Sequence, residues 1–281
     1  MTSNKVKGSV ELTRPLNCLI TMASIAAACF ISGGGKENWP EILIASVVGA
    51  LVAAGANAMN DYFDVEIDRI NRPDRPIPRG AVTRDEARRF SIVLSSVGVL
   101  LNVWLNLTAL GIAFTAVVSL YFYNSRLKKT VLTGNLLVAA MTGLAFVYGA
   151  VVVGRPERSI VPALFAFLVN LARELVKDVE DVEGDSRNHA VTLPVKYGPK
   201  TGIFLASVVM TTLIVTTLAA YMIQMYGLTY LYLVLAVDVL LIGGMILMWK
   251  DSSPRSMGRV SNLLKLSMSV GLAAIFFGSL P

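Results

Sequence analysis

Apolar residues along this chain are grouped into long runs that short polar segments separate. Each run has roughly the length, about 20 residues, with which an α-helix crosses a bilayer. The runs predict membrane spans near residues 16–33, 41–59, 90–106, 109–124, 131–153, 159–176, 202–223, 227–249 and 260–279. The pattern therefore predicts an all-α fold, a polytopic membrane bundle of nine transmembrane helices.

The third and fourth predicted spans are the least clearly separated. Residues 91–123 are almost continuously apolar, and a single helix of that length would exceed the bilayer by about half. A break between two spans is expected at the polar or small residues Asn102, Asn106, Thr108 and Gly111.

Composition agrees with a membrane protein and excludes several other classes. The 281 residues are 54% apolar and their mean hydropathy is +0.62, whereas a soluble domain is about 45–50% apolar. The two cysteines, Cys18 and Cys29, lie in the first apolar run and supply neither a disulfide scaffold nor a cysteine-rich metal site. We expect one membrane-embedded domain over residues 1–281.

Basic residues alternate between loops in a way that predicts orientation. Of the 25 Lys and Arg residues, 20 fall in one alternating set of loops and three in the other. Because Lys and Arg collect in cytoplasmic loops, we expect a multi-pass protein of the cell membrane with a cytoplasmic N-terminus and an external C-terminus. This placement also accounts for the net charge of +6 without a nucleic-acid partner. The oligomeric state is left open.

Acidic residues are concentrated in two short stretches. Seven of the 19 lie between residues 61 and 86, and six lie between 174 and 185. Each stretch begins at the cytoplasmic end of a predicted span. The loops near 60–89 and 177–201 are therefore the candidate active-site segments, and both are expected to face the cytoplasm.

The two acidic stretches share a helical spacing. Asn60, Asp64 and Asp68 are four residues apart and are expected on one helix face, with Asp61 beside them. Along the second stretch, Glu174, Asp178, Asp181 and Asp185 step by four, three and four residues. Like charges at this spacing repel, so each face predicts a compensating cation. An offset of 117 residues relates Asp64 to Asp181 and Asp68 to Asp185, which hints at an internal duplication.

Oxygen ligands without histidine or cysteine favour magnesium, which binds few carboxylates and completes its shell with water and substrate phosphates. The candidate metal ligands are Asn60, Asp61, Asp64, Asp68, Asp178, Asp181 and Asp185, with Asp61 and Asp178 as extra ligands or supporting partners. Asp64, Asp68, Asp181 and Asp185 are the candidate catalytic residues.

Basic residues accompany the acids. Arg72, Arg75 and Arg79 lie in a proline-rich loop directly after the first stretch, where their guanidinium groups are suited to phosphate oxygens. Lys128 and Lys177 are further candidates for binding substrate. Carboxylates, magnesium and arginines together indicate a clamp for a diphosphate, and a membrane cavity suits the isoprenoid tail of such a substrate. Ionisation of an allylic diphosphate would make a carbocation that aromatic faces can stabilise.

Other interpretations stay open on the residues alone. One alternative is a solvated helix end whose acids pair only with neighbouring basic residues. An ion-coupled transporter is also a helical bundle with intramembrane charges, although its acids are expected near the midplane. A CDP-alcohol phosphotransferase is disfavoured because its D-G-x-x-A-R signature is missing.

The motifs resemble those of the UbiA superfamily of intramembrane prenyltransferases. The match consists of N-x-x-x-D-x-x-x-D at Asn60 to Asp68, R-x-x-R-P-x-P-x-G at Arg72 to Gly80, D-x-x-x-D at Asp181 and Asp185, and T-L-P-V-K-x-G at Thr192 to Gly198. The family's Tyr-x-x-x-Lys motif has its nearest counterpart in Tyr123 and Lys128, which are one residue further apart.

The resemblance implies that both aspartate motifs bind a prenyl diphosphate donor through Mg²⁺. The segment Glu11 to Cys18, in which Asn17 is a candidate cavity residue, and the segment Asn60 to Gly80 resemble family members of archaeal ether-lipid synthesis. This implies geranylgeranyl diphosphate as donor and geranylgeranylglyceryl phosphate, a membrane lipid phosphate, as acceptor. An aromatic acceptor such as 4-hydroxybenzoate is the alternative.

Two further polar residues are singled out. His189 is expected to be exposed in a polar loop and outside the chemistry. Asp238 lies within a predicted span, where a charge costs about 2.5–3.5 kcal/mol, and is expected to be paired or functional.

Overall fold

The computed structural model describes residues 2–187 and 190–278, and within these ranges the regular structure is helical throughout. His189 lies outside the described residues. The α-helices are α1 (Thr2–Thr13), α2 (Pro15–Ile31), α3 (Trp39–Phe63), α4 (Val65–Asn71), α5 (Arg84–Leu100), α6 (Leu107–Ser125), α7 (Thr133–Val152), α8 (Ile160–Glu180), α9 (Val182–Arg187), α10 (Leu193–Tyr197), α11 (Pro199–Met222), α12 (Leu228–Lys250) and α13 (Pro254–Gly278). Short 3₁₀ turns lie at Lys36–Asn38, Leu101–Trp104, Leu127–Lys129 and Pro156–Ser159.

Long apolar helices confirm the prediction of an all-α, multi-pass membrane protein. Eight helical segments of the described chain are long and apolar enough to cross a membrane, namely Asn4–Ile31, Lys36–Phe63, Leu107–Ser125, Thr133–Val152, Pro156–Glu180, Pro199–Met222, Leu228–Lys250 and Pro254–Gly278. Nine were predicted. The difference arises at the predicted third span, where α5 has only 17 residues and begins with charged side chains.

The expected break between the third and fourth predicted spans is confirmed. Helix α5 ends at Leu100, and α6 begins after Asn106, whose side chain accepts a hydrogen bond from Ala109 N at 2.8 Å. Asn102 is fully buried and accepts a hydrogen bond from the hydroxyl of Tyr148 at 2.8 Å. These amides compete with the helical backbone and so end one helix and begin the next.

The chain divides into two compact units. The first comprises Met1–Arg126 and Ala145–Glu157, and the second comprises Leu127–Leu144 and Arg158–Pro281. A single membrane-embedded domain over residues 1–281 stays a prediction.

In the first unit, a small apolar cluster supports the segment that carries the first motif. Leu12, Ala58, Val65, Val82 and Ala87 are buried against one another. The cluster joins α1, α3, α4 and α5, so burying these side chains fixes where the chain turns after α3.

Helices α3 and α5 of this unit approach each other closely at Gly55. A side-chain carbon at this position would come within 2.2 Å of Ser95 Oγ, and the hydroxyl of Ser91 donates to Gly55 O at 2.7 Å. Only a glycine allows this spacing.

The second unit buries the apolar face of α8, including Leu175, Val176 and Val179. Asp238 is buried here on α12, and the hydroxyl of Thr217 lies 3.4 Å from its Oδ1. Its Oδ2 is buried and has no hydrogen-bond partner among the described residues, so the expectation that Asp238 is paired or functional stays a prediction.

Candidate functional site

The first motif lies across the end of a helix. Helix α3 ends at Phe63, and Asp64 takes the capping position with φ −88° and ψ 4° before α4 begins. Hydrogen bonds four residues apart nevertheless continue through the motif, from Asp64 N to Asn60 O at 2.9 Å and from Asp68 N to Asp64 O at 2.8 Å. The regular helix is interrupted at Asp64, but the four-residue spacing of the motif is retained.

The second motif repeats this local structure. Helix α8 ends at Glu180, and Asp181 takes the capping position with φ −97° and ψ 9° before α9. Asp181 N donates to Lys177 O, and Asp185 N donates to Asp181 O, both at 2.9 Å. Asp64 and Asp181, 117 residues apart, thus have the same backbone role, which supports the internal duplication suggested by the sequence.

Two acids of the first motif are buried and are paired with arginines. Asp61 and Asp68 are 4% and 5% exposed. Arg75 Nη1 lies 2.5 Å from Asp68 Oδ2 and 3.1 Å from Asp61 Oδ1, and Arg14 Nη2 lies 2.6 Å from the same Asp61 oxygen. Buried carboxylates require such partners because an unpaired charge away from water is very unfavourable.

Both polar atoms of the Asn60 side-chain amide form hydrogen bonds. Arg14 Nη2 donates to Asn60 Oδ1 at 3.2 Å, and Asn60 Nδ2 donates to Asn124 Oδ1 at 3.0 Å. Asn60, Asp61, Asp68 and Arg75 therefore form one polar network in the first unit. Asp64 lies between Asp61 and Asp68 in the sequence, at the end of α3.

Sequence reasoning missed Arg14 and Asn124. Arg14 was counted only among the residues that orient the protein in the membrane. Its backbone has a positive φ of 50° at the junction of α1 and α2, a conformation that is unfavourable for residues other than glycine. The following Pro15 disfavours helix at the residue before it and so marks the junction of α1 and α2, but it gives no indication that Arg14 contacts the site.

The three arginines of the proline-rich loop have different surroundings. Arg75 bridges the two buried acids. Arg79 Nη2 lies 2.5 Å from Glu11 Oε2, and its Nη1 donates to Asp74 O at 2.9 Å. Arg72 is exposed and forms no side-chain ion pair with any described residue. Phosphate binding by these arginines stays a prediction.

The acids of the second unit also have polar partners. Asn135 Nδ2 donates to Asp178 Oδ2 at 2.7 Å, and Lys177 Nζ lies 3.6 Å from Asp181 Oδ2. Partial burial raises the pKa of the Asp185 carboxyl. Asn135 was not among the sequence candidates, since an isolated asparagine in an apolar run gave no indication of its partner.

The positions of three further substrate-binding candidates are defined by their helices and turns. Asn17 is exposed on α2, Tyr123 is half-buried on α6, and Lys128 is exposed in the turn Leu127–Lys129. Their roles stay predictions.

The donor set fits magnesium. In the described parts of the chain, no three acidic, histidine or cysteine side chains cluster closely enough to hold an ion unaided. Mg²⁺ is usually bound by one or two carboxylates, with water and substrate phosphates completing its octahedron. The candidate ligands are carboxylates in each unit and the amide of Asn60 in the first. Their type and small number suit this mode of Mg²⁺ binding.

Comparison with known proteins decides the family. A model described as the UbiA prenyltransferase family matches residues 21–269. The chain belongs to the UbiA prenyltransferase family. This UbiA-family protein is thus a prenyltransferase, and the transporter and phosphotransferase interpretations are set aside.

Relatives of this UbiA-family protein match it over nearly its whole length. It is 39% identical over 276 residues to the digeranylgeranylglyceryl phosphate synthase of Methanopyrus kandleri, covering 98% of this chain and 100% of the relative. It is 36% identical over 275 residues to the enzyme of that name from Thermococcus kodakarensis, covering 98% of each.

Solved structures agree with the family assignment. A structure from work on digeranylgeranylglyceryl phosphate synthase in membranes has a TM-score of 0.88 at 33% identity, covering 98% of each chain. A UbiA homologue of Archaeoglobus fulgidus, solved with DMAPP and Mg²⁺, has a TM-score of 0.69 at 15% identity, covering 95% of this chain and 98% of that one. At this identity the second similarity concerns the fold.

Proposed function

We propose that this protein transfers a geranylgeranyl group from geranylgeranyl diphosphate to the glycerol hydroxyl of geranylgeranylglyceryl phosphate, forming an ether lipid precursor and pyrophosphate. The observation that carries the proposal is the near-full-length similarity to synthases of digeranylgeranylglyceryl phosphate, at 39% and 36% identity. The buried, arginine-paired acids of the first motif supply the polar site that a diphosphate substrate requires.

Metal and diphosphate binding is assigned to the two aspartate motifs. Asn60, Asp64 and Asp68 of the first unit and Asp181 and Asp185 of the second are the proposed Mg²⁺ ligands. The side chain of Asn60 supports this assignment because it is held in one orientation before substrate binds. Asp178, proposed as an extra ligand or supporting partner, is held in the same way by Asn135. A homologue solved with DMAPP and Mg²⁺ is of the same family.

Bound Mg²⁺ would neutralise charge on the diphosphate and make it a better leaving group. Arg72 is the proposed contact to the departing pyrophosphate because it is exposed and has no ion pair with a described residue. Arg75 instead keeps Asp61 and Asp68 in place. The acceptor hydroxyl is a weak nucleophile, which suffices for attack on a carbocation, so a strong base is unnecessary.

Nine membrane crossings with a cytoplasmic N-terminus and cytoplasmic motifs remain the proposed topology. Helix α5 and the 3₁₀ turn Leu101–Trp104 follow each other without interruption. At about 1.5 Å and 2.0 Å of rise per residue, the uncharged part from residue 90 to 104 extends roughly 25 Å. This is slightly shorter than a hydrocarbon core of about 30 Å, a mismatch that local thinning of the bilayer accommodates at modest cost.

The acceptor is tested by competition. Purified protein with Mg²⁺ and labelled geranylgeranyl diphosphate is offered geranylgeranylglyceryl phosphate and 4-hydroxybenzoate, separately and together. We expect a labelled ether lipid and no labelled aromatic product. Product from the aromatic acid alone would overturn the lipid assignment. The variant Asp64→Asn is the control, because it should form neither product.

A further inference from the structure

The first unit contains a groove whose two arginines, Arg88 and Arg89, the chemistry above does not use. It has a volume of about 780 Å³ and is lined by α3, α5 and α6. Most of its surface is apolar, and Tyr62, Phe63 and Tyr121 form edge-to-face aromatic contacts along its wall. A volume between about 300 and 1,000 Å³ is typical of pockets that hold a small molecule.

One end of this groove is positively charged. Arg88 and Arg89 line it, and none of the described residues that line it is acidic. Arg89 forms no ion pair with a described residue, and Arg88 lies only 3.9 Å from the exposed carboxylate of Asp85. The neighbouring Arg84 differs, because its guanidinium lies 4.7 Å from the ring centre of Tyr62 and its Nε donates to Tyr62 O. Two guanidinium groups are thus available to an anion.

Beyond the arginines the groove extends along apolar side chains that face outwards. Ile92, Leu100 and Phe114 line it and are 52%, 63% and 58% exposed. From Arg89 to Leu100 the groove follows 12 residues of α5, whose ends are roughly 16 Å apart along the helix. This is close to one leaflet of a hydrocarbon core that is about 30 Å thick.

We propose that this groove binds one anionic phospholipid of the surrounding membrane, with its phosphate at Arg88 and Arg89 and a chain between α5 and α6. The positive charge of the two arginines, the length of the apolar part and its outward exposure together favour a lipid that lies in a single leaflet. Basic pockets between transmembrane helices recognise anionic headgroups in this way. The gap between α5 and α6 would then be filled by lipid, which completes the packing of α3 against both helices. The groove borders the first aspartate motif, because Asn124, which holds Asn60, also lines it. The phosphate site at Arg88 and Arg89 contains none of the motif's acids, and the proposal does not depend on the acceptor.

Lipid binding is measured by native mass spectrometry of the purified full chain in detergent without Mg²⁺ or prenyl diphosphate. The probes are phosphatidylglycerol and phosphatidylcholine of equal chain length. We expect one phosphatidylglycerol bound in preference to phosphatidylcholine. Arg88→Gln with Arg89→Gln should weaken phosphatidylglycerol binding on the order of 30-fold, because each basic residue near an anionic lipid contributes about 1 kcal/mol.

A matched control removes two positive charges elsewhere. Lys250→Gln with Arg255→Gln changes exposed residues at the end of α12 and the start of α13, and binding should be retained. A second variant, Ser96→Trp, fills the groove from an exposed position while leaving both arginines in place. It should abolish binding, and the unfolding temperature of each variant reports whether it folds.

Three outcomes would overturn the proposal. They are equal binding of the two lipids, equal loss in the control, and unchanged binding in a folded Ser96→Trp variant. Displacement of the bound phospholipid by geranylgeranylglyceryl phosphate at equal concentration would assign the groove to the acceptor instead. Turnover of the unmodified enzyme is assayed separately, so failure of this site and failure of the proposed activity are distinguishable.

Discussion

Arg75 Nη1 lies 2.5 Å from Oδ2 of Asp68, the last acid of the first motif. The same nitrogen lies 3.1 Å from Asp61, so a single guanidinium bridges two buried carboxylates, and Arg14 supplies a second positive charge at Asp61. In this arrangement the arginine stabilises the shape of the motif itself, a role different from the phosphate contact that its sequence position predicts.

Arg75→Ala should therefore lower stability as well as activity. Asp68 would lose its arginine partner and Asp61 would keep only Arg14, and breaking a buried ion pair costs about 3–5 kcal/mol. Thermal unfolding in detergent measures the effect. Arg72→Ala is the matched control from the same loop, and its unfolding free energy should change by less than about 0.5 kcal/mol. Equal unfolding temperatures for the two variants would contradict the bridging role.

Asp64→Asn and Asp181→Asn should each abolish Mg²⁺-dependent release of pyrophosphate. Each removes a proposed ligand charge while keeping the size of the side chain at a helix end, and loss of metal-ion catalysis amounts to several kcal/mol, or more than about 100-fold. A coupled pyrophosphate assay over a range of Mg²⁺ concentrations measures the loss.

Glu66→Gln is the control for these ligand variants. Glu66 lies on α4 near the motif, but its side chain is exposed and pairs with Arg69 at 2.9 Å. It should retain turnover. Normal turnover in both aspartate variants would remove these residues from the mechanism.

Asn135→Ala should raise the Mg²⁺ concentration needed for half-maximal rate. The amide holds Asp178 at 2.7 Å, and leaving that acceptor without its donor costs about 1–3 kcal/mol. Asn170→Ala makes a comparable change in the same unit, because Asn170 Nδ2 donates to the hydroxyl of Thr142 at 2.7 Å. The Asn170 variant should lose stability without a change in Mg²⁺ dependence. The same Mg²⁺ dependence in both variants would argue against a positioning role for Asn135.

Helix α5 should cross the membrane. Single cysteines at Asp85 and Val103, in a chain whose Cys18 and Cys29 are replaced by alanine, place one label before α5 and one after it. An impermeant maleimide should react with residue 103 in right-side-out vesicles and with residue 85 only in inverted ones. Reaction of both from the same side would mean eight crossings at most.

Much of the fold follows from one-dimensional patterns. Apolar runs fix where long helices lie because a bilayer demands uninterrupted backbone hydrogen bonding. The break near Asn102 and Asn106 was predictable for the same reason, since those amides compete locally with the helix. The bounds of the span at α5 were harder to predict, because its first turns are charged and its apolar part continues into a 3₁₀ turn.

The candidate site, like the fold, could be predicted only in part from the sequence. Spacing alone identified the acids of both motifs, because four-residue periodicity is a local property of helices. The partners of those acids were not visible, since Arg14 and Asn124 come from elements 46 and 64 residues away from Asn60. Such contacts depend on tertiary packing, which no local pattern records. Similarly, Arg72, Arg75 and Arg79 are alike in sequence and differ only in what surrounds them.

The left-handed backbone at Arg14 makes the junction of α1 and α2 difficult to re-engineer. Glycine would adopt that conformation readily but would leave Asp61 and Asn60 without their guanidinium, whereas lysine would keep the charge and lose the planar fork. An affinity tag, fluorescent fusion or surface tether on α1 would therefore strain the α1–α2 junction and, through Arg14, disturb the first aspartate motif. Attachments placed after α13 do not act on the α1–α2 junction.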